Sequence, residues 1–244
     1  MELMKKTIEY DIQARDVDCN DVIKPLAILD IFQDIASTHA TELGIGYEVI
    51  KKRNFAWIVM YQQFEIKKVP GFAEHIKISS WPKPKGRLEF GRELLIQNSQ
   101  GETLVQGIST WVVLDMQSLN LVRASEIELN GIYEEYTNYP DKPKRKLNLS
   151  KELITDSFNY QVTYDDLDHN GHMNNAKYIN IIFNHYPLYG TKKYIYKAEI
   201  AYIKEAKYQD VMTIGHYKIE EDDAYIASIG EQICFECVIG VKKL

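Results

Sequence analysis

The sequence predicts an α+β chain in which a long helix packed on an antiparallel sheet is built twice. Three observations predict it. After an opening strand, helical periodicity appears once and is followed by four strands with no helix between them. That order argues against a doubly wound parallel sheet, in which helices alternate with strands. The same strand, loop, helix and strands then start again past residue 150. The 244 residues accommodate two such units of about 120 residues each.

Each element has its own signal. Residues 6–14 read as a strand. Pro25 then opens a stretch in which Leu26, Leu29, Phe32, Ile35, Ala36 and Leu43 recur at spacings of three, four and seven, which predicts a helix over 25–43. Proline suits the first helical turn, where its missing N–H costs nothing, and Gly44 suits the stop. The aromatic and β-branched runs 55–69, 75–81, 89–97 and 104–115 are predicted strands, with Asn98 to Gly101 as a turn between two of them. Residues 136–150 are polar and basic and contain Pro140 and Pro143, the composition of a linker. Beyond it come a strand at 158–164, a helix at 174–186 with a stripe of Ile179, Ile182 and Tyr186, and strands at 194–204, 211–219, 224–230 and 233–241. The domain boundaries expected from this are 1–137, 138–154 for the linker, and 155–244.

Composition removes several classes. Hydrophobic residues at 45% against 26% charged exclude a disordered or low-complexity chain. A net charge of -6 disfavours a general nucleic-acid binder. The 17 Tyr, 8 Phe and 3 Trp point to aromatic sheet faces or an apolar channel. Three cysteines make no disulfide framework, and Cys234 and Cys237 have no second pair at metal-ligand spacing, so no metal or cofactor is expected. The N-terminus has no apolar signal core and no run is long enough to span a membrane, so the cytoplasm is the expected compartment.

The halves superpose in sequence by a shift of 150. Tyr10 meets Tyr160, Asp16 meets Asp166, Asp18 meets Asp168, Asn20 meets Asn170 and Ile31 meets Ile181. A shared Asp-x-Asn in the same loop makes duplication a better account than chance. The halves part immediately afterwards. His172 faces Val22, and Asn174-Asn175 faces Lys24-Pro25. One copy therefore carries a polar cluster that the other lacks, which suggests one active and one structural copy. Asp168, Asn170 and His172 alternate before a helix, so an extended segment would present them on one side. Histidine can move a proton and asparagine can donate or accept. Asn174 or Asn175 suits a helix cap, and helix-start N–H groups can face an oxyanion. An Asx-turn explains Asp168 and Asn170 equally well, because Asp18 and Asn20 keep those positions.

At these residues the chain resembles the acyl-acyl carrier protein thioesterases. The resemblance lies in Asp168-x-Asn170-x-His172-x-Asn174-Asn175-x-Lys177-Tyr178-Ile179, and in Tyr202-Ile203-Lys204-Glu205-Ala206. Residues 54–59 and 107–114 also resemble that family's first domain. The resemblance implies a tandem, or double, hotdog, each unit a long helix wrapped by an antiparallel sheet. It places the catalytic glutamate on Glu205. Plant members carry a cysteine after that glutamate; Ala206 stands here, which favours direct attack by water.

The resemblance further implies hydrolysis of fatty acyl carrier thioesters with Asp168, Asn170, His172 and Glu205 as the catalytic group. Whether His172 or Glu205 takes the proton stays open. Asn174 and Asn175 are expected beside the substrate, and Phe55, Trp57, Leu29 and Phe32 along the acyl chain. An acyl-CoA thioesterase of the same fold and a non-catalytic acyl-binding protein remain alternatives. The expected partner is an acidic acyl carrier protein, for which Lys83, Lys85 and Arg87, the linker residues Lys142, Lys144, Arg145 and Lys146, and Lys204 with Lys207 are candidate docking cations. The two sheets are expected to join edge to edge, and a homodimer is left open alongside a monomer.

Overall fold

The computed structural model describes residues 2–137 and 145–244. The chain forms two compact units, Met1–Pro143 and Lys144–Leu244. Lys142 and Lys144 of the basic linker lie outside the described residues.

The first unit contains β1 (Lys6–Asp11), α1 (Pro25–Glu42), α2 (Tyr47–Lys52), β2 (Phe55–Ile66), β3 (His75–Pro82), β4 (Phe90–Asn98) and β5 (Thr103–Asp115). Its strands are antiparallel in the order β1-β3-β4-β5-β2. The second unit contains β6 (Asp156–Gln161), α3 (Asn175–His185), β7 (Lys193–Tyr202), β8 (Val211–Ile219), β9 (Asp222–Ile229) and β10 (Gln232–Lys243). Here the order is β6-β8-β9-β10-β7, again antiparallel. The two orders are the same permutation of five strands. Two unrelated amphipathic segments have no reason to share it, so the internal repeat is a duplication of a whole unit.

Helix α1 begins at Pro25, as its sequence requires, and buries Ile28, Leu29, Phe32, Ile35, Ala36 and His39 along one face. It packs on β3 and β1. Close approach to the sheet depends on Gly107 in β5. A Cβ there would overlap the Phe32 ring and crowd the Gln63 carbonyl. Helix α3 packs on β7 and buries Ala176, Tyr178, Ile179, Ile181 and Ile182.

Two local departures from the sequence reading have a common cause. The opening strands stop at Asp11 and Gln161, short of the expected ends. In each unit a buried aspartate turns the chain: Gln13 N donates to Asp16 Oδ2 at 2.8 Å, and Thr163 N donates to Asp166 Oδ2 at 2.8 Å. Helix α2 leaves no signal in the sequence, because six residues carry too little periodicity. Cys234 and Cys237 are buried free thiols in β10, with burial pushing both thiol pKa values up. Among the described residues no helix is long and apolar enough to cross a membrane.

Candidate active site

The polar cluster stands on a loop that both units build in the same way. In the second unit, Asp166 is buried and accepts from Tyr160 Oη and Thr163 Oγ1, each at 2.8 Å. Its own carbonyl accepts from Asn174 N at 2.8 Å, which ties the loop to the start of α3. Burial, then Asp166, pushes the Tyr160 phenol up to about 12. In the first unit Tyr10 Oη donates to Asp16 Oδ2 at 2.6 Å, and Lys24 N donates to the Asp16 carbonyl at 2.8 Å.

The next turn is also shared. Asp168 Oδ1 accepts from Asn170 N at 2.8 Å and from His172 N at 3.3 Å. Asp18 Oδ1 accepts from Asn20 N at 2.8 Å and from Val22 N at 3.1 Å. The turn needs a left-handed residue, supplied by Gly171 at φ 77° and by Asp21 at φ 58°. The shared Asp-x-Asn pattern is therefore explained by loop construction. Asp168 keeps one further contact, from Asn170 Nδ2 to its Oδ2 at 3.3 Å.

What the second unit adds is a pair. His172 Nε2 lies 2.8 Å from Glu205 Oε2, and the side chains are 36% and 50% exposed. Such a pair, open to solvent and beside an exposed asparagine, can hold a water and take or return a proton. The two residues meet because the segment after β7 is tied to the loop. His172 and Lys207 form an antiparallel bridge, and Met173 N donates to the Ala206 carbonyl at 2.9 Å. Ala206 N in turn donates to Tyr178 Oη at 3.1 Å. The first unit has Val22 in place of His172 and no carboxylate in the matching segment 67–69.

The remaining expected site residues fall in different places. Asn174 caps α3, its Oδ1 accepting from Ala176 N at 2.9 Å, while Asn175 is the first helical residue. Leu29 and Phe32 are fully buried on the inner face of α1. Phe55 and Trp57 pack instead on a cluster of Ile45, Ile50, Phe90, Val113 and Ile127, where Trp57 meets Phe90 edge to face at 4.9 Å. Ile45, Ile50 and Ile127 also line a cleft of about 340 Å³ between α2 and the segment near Glu126.

The cations are just as divided. Lys83 Nζ lies 2.9 Å from the fully buried Glu93 Oε1, and Lys85 Nζ donates to the Ile127 carbonyl at 2.8 Å. Both are therefore engaged within their own unit. Arg87, Arg145, Lys146, Lys204 and Lys207 are exposed, with Lys204 Nζ bonded to Gln232 Oε1. Lys207 is bridged to His172 through the backbone, and Lys204 precedes Glu205 in the chain.

Two family matches cover most of the chain. Residues 4–131 match the acyl-ACP thioesterase N-terminal domain, and residues 150–235 match the acyl-ACP thioesterase C-terminal domain. The chain belongs to the acyl-ACP thioesterase family. Among members of this family, the chloroplastic palmitoyl-acyl carrier protein thioesterase of Cuphea hookeriana is 24% identical over 190 residues, which are 73% of this chain and 46% of that protein. The chloroplastic oleoyl-acyl carrier protein thioesterase of Coriandrum sativum is 21% identical over 248 residues, 91% of this chain and 65% of that protein. The chain thus spans about half to two thirds of the length of these relatives. The fold is that of an acyl-ACP thioesterase from Bacteroides thetaiotaomicron, with a TM-score of 0.87 at 20% identity over 98% of each chain. It is also that of the 12:0-ACP thioesterase from Umbellularia californica, with a TM-score of 0.81 at 17% identity over 99% of this chain and 98% of that one. The tandem hotdog architecture expected from the resemblance is the one observed.

Proposed function

We propose that this member of the acyl-ACP thioesterase family hydrolyses fatty acyl thioesters of an acyl carrier protein. The observation that carries the reading is the His172–Glu205 pair at 2.8 Å, built in one copy of a duplicated unit. In the reaction a water oxygen bonds to the thioester carbonyl carbon, the C–S bond breaks, and the proton removed from water goes to the pantetheine sulfur. Glu205 activates or positions the water. His172 and Asn170 orient the carbonyl and offer hydrogen bonds to the developing oxyanion, assisted by an N–H at the start of α3. Asp168 holds the loop through its contacts to the backbone of Asn170 and His172. Ala206 offers no nucleophile beside Glu205, consistent with direct hydrolysis.

The first unit is assigned the acyl chain. Phe55 and Trp57, half-buried beside the cleft, are its proposed wall; a chain reaching Leu29 or Phe32 has to displace the ring packed over Gly107. The acidic carrier is assigned to exposed cations, foremost Lys207 and Lys204, with Arg87, Arg145 and Lys146 as further contributors.

A panel of carrier-linked and CoA-linked acyl thioesters from short to long chains tests the reading. Glu205→Gln and His172→Ala should each lower kcat on carrier substrates by about 10²-fold or more. Near-parent activity of Glu205→Gln, or an acyl group accumulating on a side chain, would sink the mechanism. Hydrolysis of CoA esters alone would replace the carrier, and tight acyl binding without turnover would replace the enzyme.

A further inference from the structure

The peptide that carries Glu205 is held by a residue outside the polar cluster of Asp168, Asn170 and His172. Ala206 is fully buried, and its two backbone groups are both engaged: the carbonyl by Met173 N at 2.9 Å and the N–H by Tyr178 Oη at 3.1 Å. The N–H belongs to the peptide plane that joins Glu205 to Ala206. A rigid plane held at its N–H places the Glu205 Cα and the Cα–C bond about which the side chain turns.

Tyr178 is itself held. It is 2% exposed, and its ring meets Tyr202 and Phe235 edge to face at centroid distances of 5.5 and 5.0 Å. Tyr202 Oη donates to the Asn175 carbonyl at 2.9 Å, so the aromatic group is anchored to the start of the same helix. Burial pushes the Tyr178 phenol well above its ordinary pKa, with Glu205 and Asp168 among the groups adding to the shift. The hydroxyl thus stays neutral across the working range.

The first unit supplies an internal comparison. Its loop and helix align with the second through Lys24 N to the Asp16 carbonyl and Asn174 N to the Asp166 carbonyl, which sets Ile28 opposite Tyr178. The segment after β2 aligns with that after β7 on both sides. Lys68 N donates to the Leu104 carbonyl at 3.2 Å and Lys204 N to the Cys234 carbonyl at 3.0 Å. Gly71 N donates to Glu74 Oε2 at 2.9 Å and Lys207 N to Asp210 Oδ2 at 2.8 Å. Between these points Val69-Pro70 stands opposite Glu205-Ala206. The first unit therefore lacks both ends of the hydrogen bond: isoleucine has no acceptor, and proline has no N–H. A bond needed only to fold the unit would be kept in both copies. Here acceptor and donor are missing from the same copy that lacks the histidine and the glutamate.

We propose that Tyr178 is a positioning residue for Glu205, its phenol oxygen holding the Ala206 N–H so that the carboxylate meets His172. The proposal rests on the reading of Glu205 as the residue that handles water. A carboxylate misplaced by about 1 Å can cost on the order of 10²-fold in rate, so loss of the tether is expected to matter more for turnover than for binding.

The test uses the full chain with Tyr178→Phe, which keeps the ring and removes the acceptor, and Tyr202→Phe, which removes a neighbouring buried hydroxyl bonded to the Asn175 carbonyl. Measured are kcat, KM and the pH profile on a carrier-linked acyl thioester, and the NMR chemical shifts of the His172 ring. Tyr178→Phe should lower kcat by about 10-fold or more with KM within about twofold. It should also shift the pH profile and move the His172 ring resonances toward those of Glu205→Gln. Tyr202→Phe should lower the Tm and leave the pH profile and the His172 resonances in place. Replacing Ala206 by lactic acid, which puts an ester where the N–H was, removes the same bond from the donor side and should repeat the Tyr178→Phe pattern even if that variant folds poorly. Parent-like kcat, pH profile and His172 resonances in Tyr178→Phe, or a loss of Tm alone, would overturn the proposal. If Glu205→Gln instead retains activity, the hydrolytic reading fails, while the His172 resonances still report whether Tyr178 sets the pair.

Discussion

Replacing Lys83 by methionine removes the cation from a buried ion pair. Lys83 Nζ lies 2.9 Å from Glu93 Oε1 and 3.0 Å from Thr137 Oγ1, with the Glu93 side chain 0% and the Lys83 side chain 22% exposed. At that separation and an effective dielectric of about 20, the gross attraction is about 6 kcal/mol. Much of it is offset by desolvation, and part is screened because the lysine reaches water. Deleting one partner of a buried pair generally costs about 3–5 kcal/mol, since the other charge stays buried. Glu93 retains the Thr137 hydroxyl, so the lower end applies, about 3 kcal/mol. Equilibrium urea unfolding measures the loss, and Lys83→Met combined with Glu93→Gln should recover a large part of it. Activity on carrier-linked and CoA-linked substrates should fall together, if at all. A loss under about 1 kcal/mol without coupling to Glu93 would refute the pairing argument. Unchanged stability with a raised KM for the carrier substrate alone would return Lys83 to the docking surface.

Two further outcomes are expected in the first unit. Gly107→Ala should cost about 1–3 kcal/mol, because the new methyl overlaps the Phe32 ring; Phe32→Leu in the same chain should restore part of the thermal stability, and additive losses would count against the contact. His39 is 4% exposed, and burial, then the Arg92 charge beside it, lowers its pKa from 6.5 to about 4. The unfolded chain therefore takes up a proton near pH 6.5 that the folded chain refuses until about pH 4. Stability is full above that window and falls across it on acidification by about 3 kcal/mol from this group. His39→Gln should flatten the unfolding free energy over the same interval, and an unchanged pH slope would refute the assignment.

Local pattern determined much of this protein. The spacing of Leu29, Phe32, Ile35 and Ala36 behind Pro25 sets a helix and the face it buries, because side-chain period and backbone period must agree. The repeat of Tyr10 and Asp16 in Tyr160 and Asp166 shows two units, since each loop needs the same buried carboxylate to satisfy its own backbone. His172 was visible as a difference between the copies, and Glu205 through the resemblance. Tertiary structure decided what those side chains touch. Asp18 and Asp168 could be chemical or structural in the sequence, and only the bonds to Asn20 and Asn170 N–H groups show them building a turn. Lys83 reads as one cation in a basic turn until β4 brings Glu93 beneath it. Tyr178 stands in the sequence only as part of the motif that carries the resemblance, and its oxygen acquires meaning only when a segment from beyond β7 brings Ala206 N within 3.1 Å. Periodicity records which way a residue faces within its own element. A hydrogen bond between elements distant in sequence leaves no period, so it appears only when the chain has folded.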